Sequence, residues 1–591
     1  MDAETARAFL GIERSLTGRR WRARAENERL AMAIAQRLGL PELVGRLLAG
    51  RDVSLEDCER YLDPTLRDHL PDPSRFVDMD RAATRLARAV LDGERIGIFG
   101  DYDVDGATST ALLGRYLRTL DREPLIHIPD RLREGYGPNT PALLALGAKG
   151  ARVVVTVDCG TLSFEPLARA RAAGIDVIVA DHHLAEAALP EAAAIVNPNR
   201  LDDASGARQL AAVGVVFLLA VAVNRELRAA GFFASRDEPD LRHLLDLVAL
   251  GTVADVVPLT GVNRALVAQG LRVLARRANA GLAALCDVAG LDEPPGAYHL
   301  GFLLGPRVNA GGRVGRADLG ARLLMTDDAQ EARSIAAELN RLNAERQSIE
   351  AIVLEDAIAA AGVPAAGEPL VMVAREGWHP GVIGIVAARL KERFERPAIV
   401  VALEGGLGKG SGRSVPGVDL GAAVTAARQA GFLVNGGGHA MAAGLTVRAE
   451  ALAPLREFLA ERLAGPMAHR AGRASLGLDG AISVRGANAE LLEVLERAGP
   501  YGAGHPEPRL ALTSCRVVNA GVVGERHVRC FLTGADGARI KAIAFRAIDN
   551  GLGEALLGAA GASLHVAGTL RADWWRGERR IQFVIEDAAR L

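Results

Sequence analysis

The stretch Gly100-Asp101-Tyr102-Asp103-Val104-Asp105-Gly106 sets three carboxylates at alternate positions directly after the apolar run Ile96-Gly97-Ile98-Phe99. Three negative charges this close repel one another unless a cation or a set of donors neutralises them. A short apolar strand that ends in an acidic loop and then enters a helix, from Ala107 to Leu120, is a metal-site pattern. Few chains can fold around such a loop without providing for its charge.

From Ile96 onward short apolar runs alternate with helical stretches. Strands are expected at Ile96–Phe99, Leu125–Ile128, Val153–Val157, Val177–Ala180 and Ala194–Val196, with helices at Thr108–Leu120, Pro141–Lys149 and Pro166–Ala173 between them. Such alternation predicts a parallel, doubly wound sheet, in which ligands sit beyond the carboxyl ends of the strands. The first strand ends in Asp101, Asp103 and Asp105, the third in Asp158, and the fourth in Asp181-His182-His183. Helical sequence follows from 211 to 292, interrupted by Gly251-Thr252-Val253-Ala254-Asp255, which brings one more acid.

Asp-x-Asp-x-Asp-Gly also opens an EF-hand loop, but that loop needs a preceding helix and a bidentate Glu at its twelfth position, here Leu112. Both conditions fail. A solvated acidic turn fits one such string alone, and does not fit one accompanied by Asp158, Asp181-His182-His183 and Asp255. Aspartates with one or two histidines suit Mn²⁺ or Mg²⁺, whereas zinc more usually recruits cysteine or several histidines. A carboxylate shared by two ions roughly 3.5–4 Å apart can hold a bridging hydroxide for in-line attack on phosphorus. Adjacent His182 and His183 cannot both point at one ion without a turn, so one is expected to ligate and the other to orient or to exchange protons. The site therefore reads as a two-metal phosphoesterase.

The remainder of the 591 residues holds several domains. A net charge of −2 gives no global sign of a nucleic-acid partner, and with only Lys149, Lys391, Lys409 and Lys541 among 70 basic residues the arginine excess reads as coding bias. Five scattered cysteines without CxxC spacing, no apolar leader and no apolar run of roughly 20 residues predict a cytoplasmic protein. Residues 1 to about 75 read as short helices. Gly305-Pro306-Arg307-Val308-Asn309-Ala310-Gly311-Gly312-Arg313 reads as a glycine-rich loop, followed by a helix from about Asp328 to Ala361, on the order of 50 Å long. A second α/β domain, about 367 to 466, has strands at Leu370–Ala374 and Ala398–Val401, a helix at Val382–Phe394, and three glycine-rich pieces: Gly377–Gly381 with His379, Gly410–Ser414, and Gly436-Gly437-Gly438-His439. Ser411 and Arg413 suit phosphate oxygens, as do Arg307 and Arg313. Five strands, Leu510–Val518, His527–Thr533, Arg539–Phe545, Ser563–Leu570 and Arg580–Ile585, with a helix at Leu552–Leu557, give the order of an OB-fold. Trp574, Trp575 and Arg571, Arg576, Arg579 and Arg580 at its last hairpin suit bases and phosphates.

Asp101-Tyr102-Asp103-Val104-Asp105-Gly106, Asp158-Cys159-Gly160, Asp181-His182-His183, Gly251-Thr252-Val253-Ala254-Asp255 and Gly436-Gly437-Gly438-His439 occur in the order of the DHH phosphoesterase family, which the chain resembles over nearly its whole length. Within that family it is similar to the bacterial exonucleases that degrade single-stranded DNA from 5′ to 3′; no metal position departs. The early Arg51-Asp52-Val53-Ser54-Leu55-Glu56 to Tyr61-Leu62-Asp63-Pro64 region shares the resemblance. It implies an N-terminal helical region (1–75), a catalytic α/β domain (76–292), an arginine-glycine loop and connecting helix (293–366), a second, DHH-associated domain (367–466) and an OB-fold barrel (467–591), with the active-site cleft between the two α/β domains. By the resemblance, Asp105, Asp158, His182 and Asp255 hold one Mn²⁺ or Mg²⁺ ion, Asp103, Asp158 and Asp101 the other, and His183 assists. Arg313, Ser411 and Arg413 grip the terminal 5′-phosphate, Tyr136 stacks on a terminal base, and Asn309, His379 and His439 line the cleft. The implied activity releases nucleoside 5′-monophosphates through attack by a metal-bound hydroxide, in DNA repair and recombination. The implied partners of a monomeric enzyme are single-stranded DNA, single-strand-binding protein and a recombination helicase. Two alternatives remain open: a small-substrate member of the family acting on nano-RNA, nucleoside bisphosphates or pyrophosphate, and a non-enzymatic replication scaffold, against which the full set of metal carboxylates speaks.

Overall fold

The computed structural model describes residues 7–591 except 132, 366, 471–473, 550, 576 and 577. The chain divides into two compact units, one of Met1–Val308, Asp318–Ala336 and Ser475–Leu591, the other of Asn309–Ala317 and Ala337–Ala474. None of the described helices is long and apolar enough to cross a membrane.

In the first unit a five-stranded, all-parallel sheet runs in the order Leu125–His127, Arg95–Phe99, Ala151–Val157, Asp176–Ala180, Ala194–Val196. Its three central strands are nearly continuous apolar runs because helices cover both faces. Helices Thr140–Ala148 and Phe164–Ala172 bury Leu143, Leu146, Leu167 and Ala170 against Phe99, Val154, Val177 and Val179. A second layer, Met79–Asp92, Val104–Thr119 and Ala212–Ala229, packs together on the other side. The chain leaves the first strand for one neighbour and returns to place the third strand on its opposite flank. The strand order thus reverses between Arg95–Phe99 and Ala151–Val157, where a crevice opens beyond the strand ends.

The barrel belongs to the same unit. Strands Leu510–Val523, His527–Thr533, Arg539–Ala544, Glu578–Arg590 and Ser563–Trp575 pair in that order, and Ser563–Trp575 pairs back onto Leu510–Val523 to close it. Helix Gly551–Leu557 lies between the third and fourth strands of the chain, as the sequence predicts for an OB-fold. The N-terminal region contains helices Glu28–Leu38 and Glu42–Ala49 and also a strand, Arg20–Ala23, that the sequence reading takes as helical. This strand pairs in parallel with Ser475–Leu478, a partner that local pattern cannot reveal. Trp21 within it is fully buried and donates from Nε1 to Asp587 Oδ2 at 2.9 Å. Ile34, Val44, Leu47 and Leu48 enter one continuous core with Leu510, Leu532 and Phe583 of the barrel.

The second unit holds a five-stranded sheet in the order Asn435–His439, Ala442–Arg448, Leu407–Arg413, Ala398–Glu404, Val371–Glu376, antiparallel except for its last pair. Period-two alternation in Ala398–Glu404 sends Ile399 and Val401 into one core and Val400 and Ala402 into another. The glycine-rich pieces at Gly410–Ser414 and Gly436–His439, expected as loops, lie largely within strands. Their missing side chains make room for neighbours: a Cβ on Gly410 would lie 2.5 Å from Leu445 Cδ1, and one on Gly412 2.7 Å from Leu420 Cδ2.

Gly305–Arg313 is likewise not a loop. It forms helix Gly305–Val314, entered through a π-helical turn at His299–Leu304, and helix Ala329–Ala361 follows as expected. Glycine costs about 1 kcal/mol in a helix, which close packing offsets. A Cβ on Gly305 would stand 3.3 Å from the Ala254 Cβ.

Because the N-terminal helices complete the barrel core, Leu47→Ala is expected to lower the unfolding free energy by about 2–5 kcal/mol. Denaturant titration followed by tryptophan fluorescence checks this, and a loss below about 1 kcal/mol would contradict a shared core.

Candidate metal centre

Each acidic side chain of the crevice reaches it from its own place in the fold. Asp101 follows the first strand and is buried, with no hydrogen-bond partner for Oδ1 among the described residues. Asp103 caps helix Val104–Thr119, accepting from the Gly106 N–H at 3.0 Å. Gly106 is required there, since a Cβ would lie 2.6 Å from the Asp101 carbonyl oxygen. Asp105, in the first turn of the helix, is buried and accepts from the Ala212 and Val213 N–H groups at 2.7 and 2.9 Å. The N-terminus of helix Ala212–Ala229 thus fixes its orientation.

Asp158 ends the third strand with a left-handed backbone (φ 62°) that turns the chain out of the sheet, a conformation aspartate tolerates better than most residues. Its Oδ1 is buried and makes no hydrogen bond among the described residues. Cys159 turns away into the core, as expected for the residue after a strand-end ligand. Gly251-Thr252-Val253-Ala254 forms the last turn of helix Leu245–Ala254 instead of an interruption, and Asp255 caps it.

The two histidines divide. His182 Nε2 lies 3.3 Å from Asp158 Oδ1, 3.6 Å from Asp255 Oδ2 and 3.8 Å from Asp105 Oδ2. His183 Nδ1 lies 2.8 Å from Asp181 Oδ1 and 3.9 Å from Asp158 Oδ1. Asp181 is saturated: Oδ1 accepts from the His182 and His183 N–H groups and Oδ2 from the Thr161 N–H and hydroxyl. It therefore orients an imidazole and has no lone pair to spare for a metal.

Sequence reasoning missed a further layer. Asn197 Nδ2 donates to Thr161 Oγ1 at 2.9 Å and to the His183 carbonyl at 2.8 Å, and Asn199 Nδ2 donates to the His182 carbonyl at 2.6 Å. The pair Asn197-Pro198-Asn199 directly after the fifth strand is the one signal of them in the sequence.

The electrostatics follow from burial. Desolvation, then the charge of Asp103, pushes Asp105 up to about 7. Burial, then Asp105 and Asp103, pushes Asp255 up to about 9. Asp101 and Asp158 are driven well above the usual carboxylate range, by burial first and by neighbouring carboxylates second. His182 falls to about 4 through burial and the charge of His183, so it stands as a neutral imidazole ready to ligate. Burial also disfavours charge on His183, but the bond to Asp181 overcomes it and raises the group to about 9. Burial opposes ionisation of Asp181, yet the same bond and the two imidazoles hold it well below the usual range.

Three donor sets have ligand atoms within 4.8 Å of one another: Asp105, His182 and Asp255; Asp101, Asp103 and Asp158; and Asp158, His182 and His183. Carboxylate oxygens with one or two imidazoles, two of those oxygens buried without partners, fit hard divalent cations. Asp158 is common to two of the sets.

Tyr136 stands over this cluster, its hydroxyl donating to the Asp158 carbonyl at 2.9 Å and 3.0 Å from His183 Nδ1, while the residue is 52% exposed. The remaining candidates lie elsewhere. In the second unit Arg413 Nη1 donates to Ser411 Oγ at 3.2 Å, and both side chains crowd Gly384 in the first turn of helix Ile383–Phe394. Arg313 Nη1 donates to the Gly381 carbonyl and His379 Nδ1 accepts from the Gly381 N–H, each at 3.0 Å. Asn309 is half-buried one turn before Arg313. His439 is exposed at the end of its strand, and Gly438 lies against Gly421 of helix Leu420–Gln429. Gly437 has open space where a side chain would stand, whereas Gly436 is buried. Arg307, in the first unit, donates to the Leu303 carbonyl. Trp574 on the barrel hairpin is 41% exposed; the side chain of Trp575 and residue Arg576 lie outside the described residues. Arg571, Arg579 and Arg580 pair with Glu507, Glu496 and Glu578.

A parallel sheet with carboxylates and imidazoles converging at its switch point defines the DHH class of phosphoesterase. Residues 95–252 match the model described as the DHH family, N-terminal domain, 367–465 the DHHA1 domain, and 478–587 the RecJ OB domain. The single-stranded-DNA-specific exonuclease RecJ of Escherichia coli (strain K12) is 38% identical over 569 residues, covering 93% of this chain and 96% of that protein. The one of Bacillus subtilis (strain 168) is 33% identical over 575 residues, covering 96% of this chain and 71% of that protein. The crystal structure of RecJ in complex with Mn²⁺ from Thermus thermophilus superposes with a TM-score of 0.79 at 29% identity, over 96% of this chain and 79% of that one. The chain belongs to the RecJ family of the DHH phosphoesterases.

Carboxyls raised in the metal-free fold stabilise it below their unfolded value of 3.8 and lose that contribution as pH rises through about 7 for Asp105 and about 9 for Asp255. The melting temperature of EDTA-treated protein is therefore expected to fall from pH 5 to pH 8, and Mn²⁺ to reverse the fall. Titration calorimetry at pH 7 in buffers of different ionisation heat should register proton release on Mn²⁺ binding; a binding heat that is independent of the buffer would count against protonated ligands.

Proposed function

We propose that the chain is a two-metal-ion exonuclease that degrades single-stranded DNA from the 5′ end to nucleoside 5′-monophosphates. The observation that carries this reading is the run of three donor sets linked to one another through Asp158 and His182. On this reading Asp105, Asp158, His182 and Asp255 hold one Mn²⁺ or Mg²⁺ ion, and Asp101, Asp103 and Asp158 hold the second. Ions held by these residues would supply the acidity for a water nucleophile and the positive charge opposite the scissile phosphate.

The protein's own groups do the rest. Asp105, gripped by a helix N-terminus, and His182, held by the Asn199 amide at its carbonyl, enter the ion site with their orientation already set. His183 carries a proton beside Asp158, fixed by Asp181 on one ring nitrogen, and is placed to hand it to a leaving oxygen. Tyr136, whose hydroxyl is anchored, presents its ring face to a terminal base. Arg313, Ser411, Arg413 and the first turn of helix Ile383–Phe394 receive the terminal phosphate, with Asn309, His379 and His439 beside the strand and Arg307 and the glycines 436 to 438 lining its path. Trp574 on the barrel supplies a stacking face for the body of the strand, while Arg571, Arg579 and Arg580 first have to leave their glutamates to reach phosphate.

The five cysteines are free and buried, in keeping with a reducing, cytoplasmic setting. Work in DNA repair and recombination, alone or with single-strand-binding protein and a helicase, is the cellular counterpart of this chemistry.

Digestion of 5′- and 3′-end-labelled single and double strands with Mn²⁺, Mg²⁺ or EDTA tests the reading. Mononucleotide release from the 5′ end of single strands, abolished by EDTA, is expected. Cleavage of dinucleotides or pyrophosphate with long strands left intact would instead favour a small-substrate phosphoesterase. Asp158→Ala should lower turnover by roughly 10²-fold or more, and Asn199→Ala by roughly 10–100-fold through weakened metal affinity. Wild-type turnover in Asp158→Ala would remove the metal centre as its source.

A further inference from the structure

An aromatic pair outside the metal cluster is exposed and used by nothing described so far. Tyr298, just before the π-helical turn His299–Leu304, stacks on Phe302 within it, ring centroids 5.1 Å apart and planes 24° from parallel. They are 55% and 70% exposed. π-Helical turns are rare and concentrate at functional sites. This one is seated firmly: a Cβ on Gly301 would lie 3.4 Å from Val253 Cγ1, and Gly305 abuts Ala254, so the turn rests on the end of the helix that Asp255 caps. The stacked rings are therefore a rigid surface close to the helix end that carries a proposed metal ligand.

Tyr298 also lines a cavity of about 490 Å³ whose opposite wall is the barrel, with Phe545, Leu570 and Gln582. Phe545 is 51% exposed. The cavity's charges are all paired: within the lining Glu293 meets His299 at 2.8 Å and Glu507 meets Arg571 at 2.7 Å, while Glu496 is held by Arg579 outside it at 2.5 Å. Nothing among its described residues offers a cation that is not already paired, so a phosphate has no reason to enter. A flat, neutral ring with polar edges does: aromatic and aliphatic walls supply stacking, and the Gln582 amide offers one donor face and one acceptor.

We propose that Tyr298, Phe302 and this cavity form a base-binding station for the single strand, between the barrel and the metal centre. One base stacks on the Tyr298–Phe302 pair, a neighbouring base turns into the cavity against Phe545, and the phosphates stay outside. The station rests on the exonuclease reading above and adds to it a sequence-tolerant hold on the strand at a distance from the reacting end.

The test uses the full chain with Tyr298→Ala, Phe302→Ala and Phe545→Ala, each checked by circular dichroism, and oligothymidylates of 4 and 16 nucleotides. Affinity is read by fluorescence anisotropy without added metal, and cleavage is read with Mn²⁺. Each change should weaken binding of the 16-mer roughly 5- to 100-fold with the salt dependence unchanged, since stacking and not phosphate contact is lost. Cleavage of the 4-mer should continue at the wild-type rate, and Phe302→Trp should restore binding. Wild-type affinity for the 16-mer in all three variants would overturn the proposal and leave the face to an apolar peptide, while the exonuclease reading stood. A wild-type protein that cleaves neither oligonucleotide would overturn the exonuclease reading itself.

Discussion

Mutual repulsion among buried carboxylates is the constraint on which the first unit is built. Asp101, Asp103, Asp105, Asp158 and Asp255 converge at the switch point of a parallel sheet, and Asp101, Asp105 and Asp158 are buried there with little water to screen them. The fold answers unequally. Asp103 and Asp105 receive backbone N–H groups from helix starts, Asp181 receives donors at both oxygens, and Asp101 and Asp158 keep oxygens that no described group satisfies. Donors at both oxygens commit Asp181 to the architecture, whereas Asp103 and Asp105, oriented by helix-start N–H groups, stay grouped with Asp101, Asp158 and Asp255 in the candidate metal sets.

The same economy explains the paired histidines. One imidazole is kept neutral by burial and by its charged neighbour, the other is kept protonated by Asp181. Asn197 and Asn199 clamp the carbonyls behind both, so the backbone that presents two adjacent rings in different directions cannot relax. The tetrad of Thr161, Asp181, Asn197 and Asn199 decides where the imidazoles point.

Much of this was legible in the sequence. The central strands are buried on both faces, so they read as uninterrupted apolar runs, and their ends are marked by acids that no core would accept. The barrel was legible because its strands alternate and its one helix falls at a diagnostic place. What escaped were elements whose stability is tertiary. Strands Leu407–Arg413 and Asn435–His439 are built on glycines of poor β-propensity, made tolerable by Leu445, Leu420 and Leu433 filling the vacated space. Helix Gly305–Val314 contradicts its own composition, and Arg20–Ala23 is a strand only because Ser475–Leu478 lies beside it. The asparagine clamp escaped because an amide bonded to a distant carbonyl leaves no periodic trace.

The bond between Trp21 and Asp587 joins residues 566 positions apart. A ribosome adding roughly 5–20 residues per second needs about half a minute to two minutes to cover that interval. Throughout it, Ile34, Val44, Leu47 and Leu48 are synthesised and have no barrel to pack against. This segment leaves the exit tunnel long before its partners and is thus among the last to find its place. During synthesis the apolar faces of the N-terminal helices wait for residues far along the chain to complete their core.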